Sequence, residues 1–319
     1  MIKKPRSVPL YVKKLEALLR RLPLEHAIRL SITDNLAKRM AGYKGECEMD
    51  YSISYLQDHY HIFHDLRLYS ETRHFQLDTL ILSKYFILII EVKNITGTLY
   101  FDTNFNQLIR KTEKKKEAFP DPILQINLQC ENLKRWLHHH KYTTIPLESL
   151  IVISSPRSII ETSENNRSIY NKVIHNAKLP LHVRNFEKAY RKEVLTAKQI
   201  ARLSTQLLQN HQPLETDILS TYGIPKSDVI TGVQCDKCQS IPMNRVRGTW
   251  LCPTCGHTSK HAHLTALHDY ALLFGPTITN RNMRKFLHIE SKNVAKYLLG
   301  SMNLSHTGMK KQRVYQLPL

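Results

Sequence analysis

Between Gln76 and Asn94 two apolar runs, Thr79–Leu82 and Tyr85–Ile90, are broken only by Ser83-Lys84. Runs this short and this dense in Ile, Leu and Phe fit buried strands better than one amphipathic helix, so the pattern predicts a β-hairpin. Side chains alternate faces along a strand, so Glu91 and Lys93 point the same way. Folding the chain back near Ser83-Lys84 brings Asp78 within about two residues of standing opposite Glu91. Further strands are expected near 62–68, at Gly97–Phe101, at Gln107–Ile109 and at Leu150–Ser154. The basic run Arg110–Lys116 reads as a solvated hairpin tip, and Leu181–Arg184 as one more strand.

Helical spacing marks other stretches. A helix is expected to about Arg21 and a second, shorter one before Gly42, with Pro23 between them. Glu46 to Leu56 carries one apolar stripe, Met49, Ile53 and Leu56. Pro122 opens a helix to about His138 that carries Gln125, Leu128, Leu133 and Leu137. Strands packed between helices 46–56 and 123–138 give an α/β layer structure with a mixed sheet. Residues 197–208 form a helix, and Pro213 and Gly223-Ile224-Pro225 mark a linker. His59, His61 and His64 are expected to be polar surface rather than a zinc site.

Composition narrows the function. With 46 Lys and Arg against 27 Asp and Glu, the net charge is +19 and the pI about 9.7. That excess favours polyanionic partners, nucleic acid before anionic membrane. No apolar run reaches about eighteen residues and Met1–Arg6 precedes no apolar signal core, so a cytoplasmic protein is expected. Oligomeric state is not legible.

Four of the six cysteines stand as Cys235-x-x-Cys238 and Cys252-x-x-Cys255, thirteen residues apart, and Cys47 and Cys130 are singles. Four thiolates on two tight turns suit one structural Zn²⁺ in a zinc ribbon, with Gly256 fitting the second turn. Beyond it, His263–Phe274, then Asn280–His288 capped by Thr279, then Lys292–Met302 capped by Ser291 predict a helix-turn-helix. Gly308 and Lys310–Tyr315 would form a wing, and Lys292, Asn293 and Lys296 would lie on the recognition helix. The alternative is a small helical cap with solvated lysines.

Buried carboxylates in an apolar hairpin require compensation. Asp78, Glu91 and Lys93 either reach water as a structural ion pair or hold Mg²⁺ with a lysine beside a bound water. Asp78 followed by Glu91-Val92-Lys93 resembles the catalytic signature of the PD-(D/E)xK nuclease superfamily. The surrounding blocks are similar to its nuclease-related (NERD) domain. They are Gly42–Glu46, His64–Leu68, Gln76–Asp78, Ile90–Asn94 with Gly97, and Asp121–Gln125, where Asp121 replaces the more usual Asn before the proline.

The resemblance implies a restriction-endonuclease-like fold for residues 41–160. A helical segment would occupy 1–40, a helical extension and linker 161–232, the ribbon 233–260 and the helix-turn-helix module 261–319. It further implies that Asp78, Glu91 and the Val92 carbonyl hold Mg²⁺ or Mn²⁺. Lys93 would position the attacking water, and Glu46 and Gln125 would complete the site. For Glu46 the alternative is a first-turn acid favoured by the helix dipole; for Gln125 it is one exposed amide among several. The expected activity is metal-dependent hydrolysis of nucleic acid, DNA before RNA. The rival is a binding or regulatory protein on a nuclease fold without turnover.

Overall fold

The apolar hairpin sits at the centre of a six-stranded sheet in the computed structural model, which describes all residues except 57–59, 72 and 164–165. His59 lies outside the described residues. In chain order the first elements are β1 (Ile2–Lys4), α1 (Leu10–Arg21), α2 (Arg29–Ser54), β2 (His61–Ser70), β3 (Arg73–Leu82) and β4 (Ile87–Lys93). Next come β5 (Thr98–Asp102), β6 (Gln107–Lys111), β7 (Lys116–Pro120), α3 (Pro122–His139), β8 (Leu147–Ile153) and β9 (Ile159–Thr162). Then follow α4 (Arg167–Lys172), β10 (Val173–His175), α5 (Leu179–Ala189), α6 (Ala197–Gln209) and α7 (Ile218–Thr221). The last third holds β11 (Asn244–Val246), β12 (Thr249–Leu251), β13 (Thr258–Ser259), α8 (Ala262–Phe274), β14 (Thr277–Thr279), α9 (Asn280–Leu287), α10 (Lys292–Ser301), β15 (His306–Thr307) and β16 (Val314–Gln316).

Two units divide the chain. The first comprises Met1–Val8 and Lys38–Leu214, the second Pro9–Ala37 and Glu215–Leu319. In the first, the main sheet runs β1-β2-β3-β4-β8-β10, antiparallel across β2, β3 and β4 and parallel from β4 to β8 to β10. Its central strands are apolar on both faces because both are covered. Ile81, Leu88, Ile90 and Val152 pack with Met49 and Ile53 of α2. Leu80, Leu82, Ile89 and Ile151 pack with Ile126, Leu133 and Trp136 of α3. A second sheet, β7-β6-β5-β9, carries the exposed basic tip around Lys114 and Lys115.

Two local expectations are corrected. α2 runs unbroken from Arg29 to Ser54 through Gly42 and Gly45, so Glu46 lies well inside the helix and the first-turn explanation of its charge fails. Gly45 is there for contact: a Cβ at this position would stand 2.3 Å from Asn94 Cβ and 2.8 Å from Ser154 Oγ. The helix therefore passes against the ends of β4 and β8 at a distance that only glycine allows. Residues 181–184 are helical, not extended, because Leu179 and Val183 are buried one turn apart on α5 and Pro180 sits in its first turn. A four-residue window could not show that period.

The second unit packs α1 against α8, with Leu15, Leu18 and Leu22 beside Leu272 and Leu273. Ile218, Leu219, Ile224 and Val229, in the stretch read as a linker, complete that core. The small sheets β11-β12-β13 and β14-β16-β15 complete the unit. The fold is mixed α/β with several sheets, followed by a four-cysteine ribbon and helices.

Candidate active site

β3 and β4 pair from Leu82↔Ile87 to Thr79↔Ile90, so the next step along each strand is Asp78 and Glu91. The Val92 N–H donates to Asp78 Oδ2 at 2.9 Å, which ties the aspartate to the opposite strand. Glu91 is buried, and both its oxygens accept hydrogen bonds. Lys93 Nζ donates to Glu91 Oε1 at 2.7 Å and to Gln125 Oε1 at 2.9 Å, while Gln125 Nε2 donates to Glu91 Oε1 at 2.6 Å. From one turn further along α3, Gln129 Nε2 donates to Glu91 Oε2 at 2.8 Å. Thus Asp78, Glu91, Lys93 and Gln125 converge at one end of the sheet. Asp121 places Gln125: it caps α3, its side chain accepting from the Ile123 N–H at 2.8 Å.

Glu46 approaches from α2 and is held by the almost fully enclosed Arg6 guanidinium. Arg6 also donates to Asp50 at 3.2 Å and to His64 Nδ1 at 2.9 Å. Burial pushes Glu46 up to about 7, Arg6 opposing and the charges of Asp65 and Glu91 adding. Burial raises Asp78 well above the usual carboxylate range as well, with Glu91 and Glu46 adding and the Val92 N–H opposing. His64, expected at the surface, is buried, and burial with Arg6 and Lys4 lowers it to about 3. A neutral ring results, and its Nδ1 serves as acceptor for Arg6. His61 bonds Ser204 instead.

The residues fit a hard divalent cation. Asp78 and Glu46 are both held above the usual carboxylate range, by burial first and then by the neighbouring acids, and a cation placed among them would relieve both. Gln129 Oε1 is buried with no hydrogen-bond partner among the described residues. Glu46, Asp78 and Glu91 do not all lie within 4.8 Å; among the described residues the four cysteines are the group that does. Mg²⁺ takes one or two carboxylates and keeps waters, so a looser acidic group suits it. Arg6, His64 and Gln129 were missed from sequence. Gln129 had a signal, four residues after Gln125 on the same helical face.

In the second unit, Cys235 Sγ and Cys255 Sγ are 3.7 Å apart, and Cys238 Sγ and Cys252 Sγ 3.5 Å. These are too long for disulfides and close to the edge of about 3.8 Å that a tetrahedron of Zn–S bonds of about 2.3 Å would have. The two turns repeat one backbone design. Gln239 N bonds Cys235 O and Gly256 N bonds Cys252 O, with φ of 62° and 70° at Gln239 and Gly256. The cluster fits a zinc ribbon. Cys235, Cys252 and Trp250 share a core with Ala266, Met283 and Phe286, and Trp250 Nε1 donates to His263 Nδ1 at 3.2 Å. Cys252→Ser is accordingly expected to lower bound zinc to well below one equivalent and to destabilise the helices beyond the ribbon. Elemental analysis and the melting of the second unit check this; full zinc-independent stability of the native protein overturns it.

α9 and α10 are capped as expected: Thr279 accepts from Asn282 N and Ser291 from Val294 N. Lys292, Asn293 and Lys296 are exposed on α10, while Ala295, Leu298 and Leu299 of the same helix are buried. β15 and β16 pair antiparallel around Gly308, in the place expected of a wing.

Residues 41–154 match the family model described as nuclease-related domain. The chain therefore carries a nuclease-related domain, and the acidic cluster lies inside it. No curated protein and no solved structure matches the chain. No helix among the described residues is long and apolar enough to cross a membrane.

Proposed function

We propose that the protein is a Mg²⁺- or Mn²⁺-dependent nuclease that hydrolyses phosphodiester bonds of nucleic acid, DNA in preference to RNA. The observation that carries this is the closed triangle of Glu91, Lys93 and Gln125 beside Asp78, inside the nuclease-related domain. Asp78, Glu91 and the Val92 carbonyl would hold the cation. When bound, it would lower the pKa of a water and offset charge on the phosphoryl oxygens. Lys93 keeps its Nζ protons on Glu91 and Gln125, so it is oriented for the water that attacks phosphorus and for the charge that follows. Gln125 and Gln129 hold Glu91 at both oxygens, which fixes the carboxylate before substrate arrives. Glu46 adds a third acid whose protonation Arg6 regulates.

The test is incubation of the purified chain with labelled linear, circular and single-stranded substrates, with Mg²⁺, Mn²⁺ or neither. Metal-dependent strand scission is expected, and its complete absence under all three conditions overturns the reading in favour of a binding protein. The exposed Lys292, Asn293 and Lys296 support a second function for α10, contact with duplex DNA. Replacing both lysines by Ala is expected to weaken binding evenly across sequences and to lower the salt slope by about 2. An unchanged slope in filter-binding titrations between about 50 and 200 mM salt would count against it.

A further inference from the structure

We propose that a cleft beside the acidic site receives an unstacked nucleobase, so that the strand presented to Asp78 and Glu91 is single-stranded nucleic acid. This rests on the nuclease reading above. The cleft, about 670 Å³, lies in the first unit and is lined by Tyr51, Tyr55, Ser154, Pro156, His175 and Asn176 among others. It reaches the end of β4 that carries the site, where the Ser154 N–H donates to the Lys93 carbonyl at 3.1 Å.

Two features, a pair of exposed tyrosines and an acidic side chain, point to a base rather than a phosphate. Tyr51 and Tyr55 are 72 % and 61 % exposed, their rings edge to face at 5.2 Å and their hydroxyls bonded at 2.5 Å. A paired, solvent-facing aromatic corner costs little entropy to use and offers a stacking face to any base. Ser154 Oγ, on a residue only 4 % exposed, and Asn176 Oδ1 are screened from water and have no hydrogen-bond partner among the described residues. The Asn176 amide is oriented by its Nδ2, which donates to the Glu48 carbonyl at 2.9 Å. Glu48, also lining the cleft, disfavours a phosphate and leaves a neutral ring unopposed.

A base held there has left its stack, which costs a duplex a few kcal/mol and a single strand much less. The test uses the full chain and a 12-nucleotide single-stranded DNA carrying one 2-aminopurine, without added divalent metal, so that binding is read apart from cleavage. Fluorescence should drop on binding to the wild type. Tyr51→Ala with Tyr55→Ala should lose the drop and weaken binding roughly tenfold with an unchanged melting temperature. A strand with 5-iodouracil should photocrosslink to the peptide holding Tyr51 and Tyr55. Retention of the fluorescence drop in the double variant, or crosslinks confined to residues 215–319, overturns the proposal. If the fluorescence and crosslink behave as expected but no metal supports cleavage, the nuclease reading fails and the base site stands. If cleavage occurs and the double variant binds as the wild type does, the reverse holds.

Discussion

Asp78→Asn should abolish metal-dependent cleavage and at the same time raise the melting temperature of the first unit in the absence of metal. The loss follows from its position opposite Glu91, tied to Val92, where it would supply one of the two carboxylates that hold the cation. Groups that act as a unit are not additive, so Asp78→Asn, Glu91→Gln and Lys93→Ala should each cost roughly 10³-fold or more. Asp78→Asn combined with Lys93→Ala should be little slower than either alone. The gain in stability follows from the electrostatics. Burial and the charges of Glu91 and Glu46 raise Asp78, and burial raises Glu46 to about 7.

An acid whose folded pKa lies above its unfolded value binds more protons when folded, so stability is present at low pH and falls as pH rises through the folded value. For Glu46 the window runs from about 4.5 to about 7. Across it the first unit should lose stability on the order of 3 kcal/mol, several degrees of melting temperature. Glu46→Gln should flatten the loss. Added Mg²⁺ should restore stability more at pH 8 than at pH 5.5 in the wild type, and hardly at all in Asp78→Asn. Calorimetry at both pH values decides: a variant that melts lower than the wild type at pH 8 without metal contradicts the account, and so does one that keeps cleavage.

The central hairpin was legible because two short apolar runs around a polar pair leave few alternatives, and period-2 alternation alone puts Glu91 and Lys93 on one face. The paired CxxC spacing and the caps Thr279 and Ser291 were equally direct, each a local rule that tertiary packing did not override. What was missed is long-range. Arg6 reaches Glu46 because β1 pairs in parallel with β2, Ile2 against Ile62, and nothing near residue 6 announces a partner so far along the chain. His64 looked like surface because histidine usually is, until Arg6 and Thr79 supplied partners that permit burial. The break expected near Gly42 followed from helix propensity, which penalises glycine by about 1 kcal/mol. Close packing of Gly45 on Asn94 outweighed it.

In the second unit the largest effect is expected at Asp269. Its carboxylate is fully buried and takes Arg21 Nε at 2.9 Å on one oxygen and Arg20 Nη2 at 2.6 Å on the other. Arg21 is itself fully buried, donates to the Gly232 carbonyl at 2.6 Å and lies over the Phe286 ring at 5.2 Å. One acid thus joins α1 to α8, and Arg21 carries the link on to the start of the ribbon and to α9. Asp269→Ala leaves a buried guanidinium with no counter-charge, a change that costs about 3–5 kcal/mol. Asp269→Leu with Arg21→Met removes both charges and fills the space with apolar atoms, so it should recover most of the loss. Because Cys235 and Cys252 share a core with Phe286, unfolding of this unit should also release the ribbon's metal. Zinc release followed with a chromogenic chelator during heating should therefore begin well below the wild-type temperature in Asp269→Ala and return towards it in the double variant. Release at the wild-type temperature in Asp269→Ala, or a double variant less stable than the single, would show that the ion pair does not hold α1, α8 and the ribbon together.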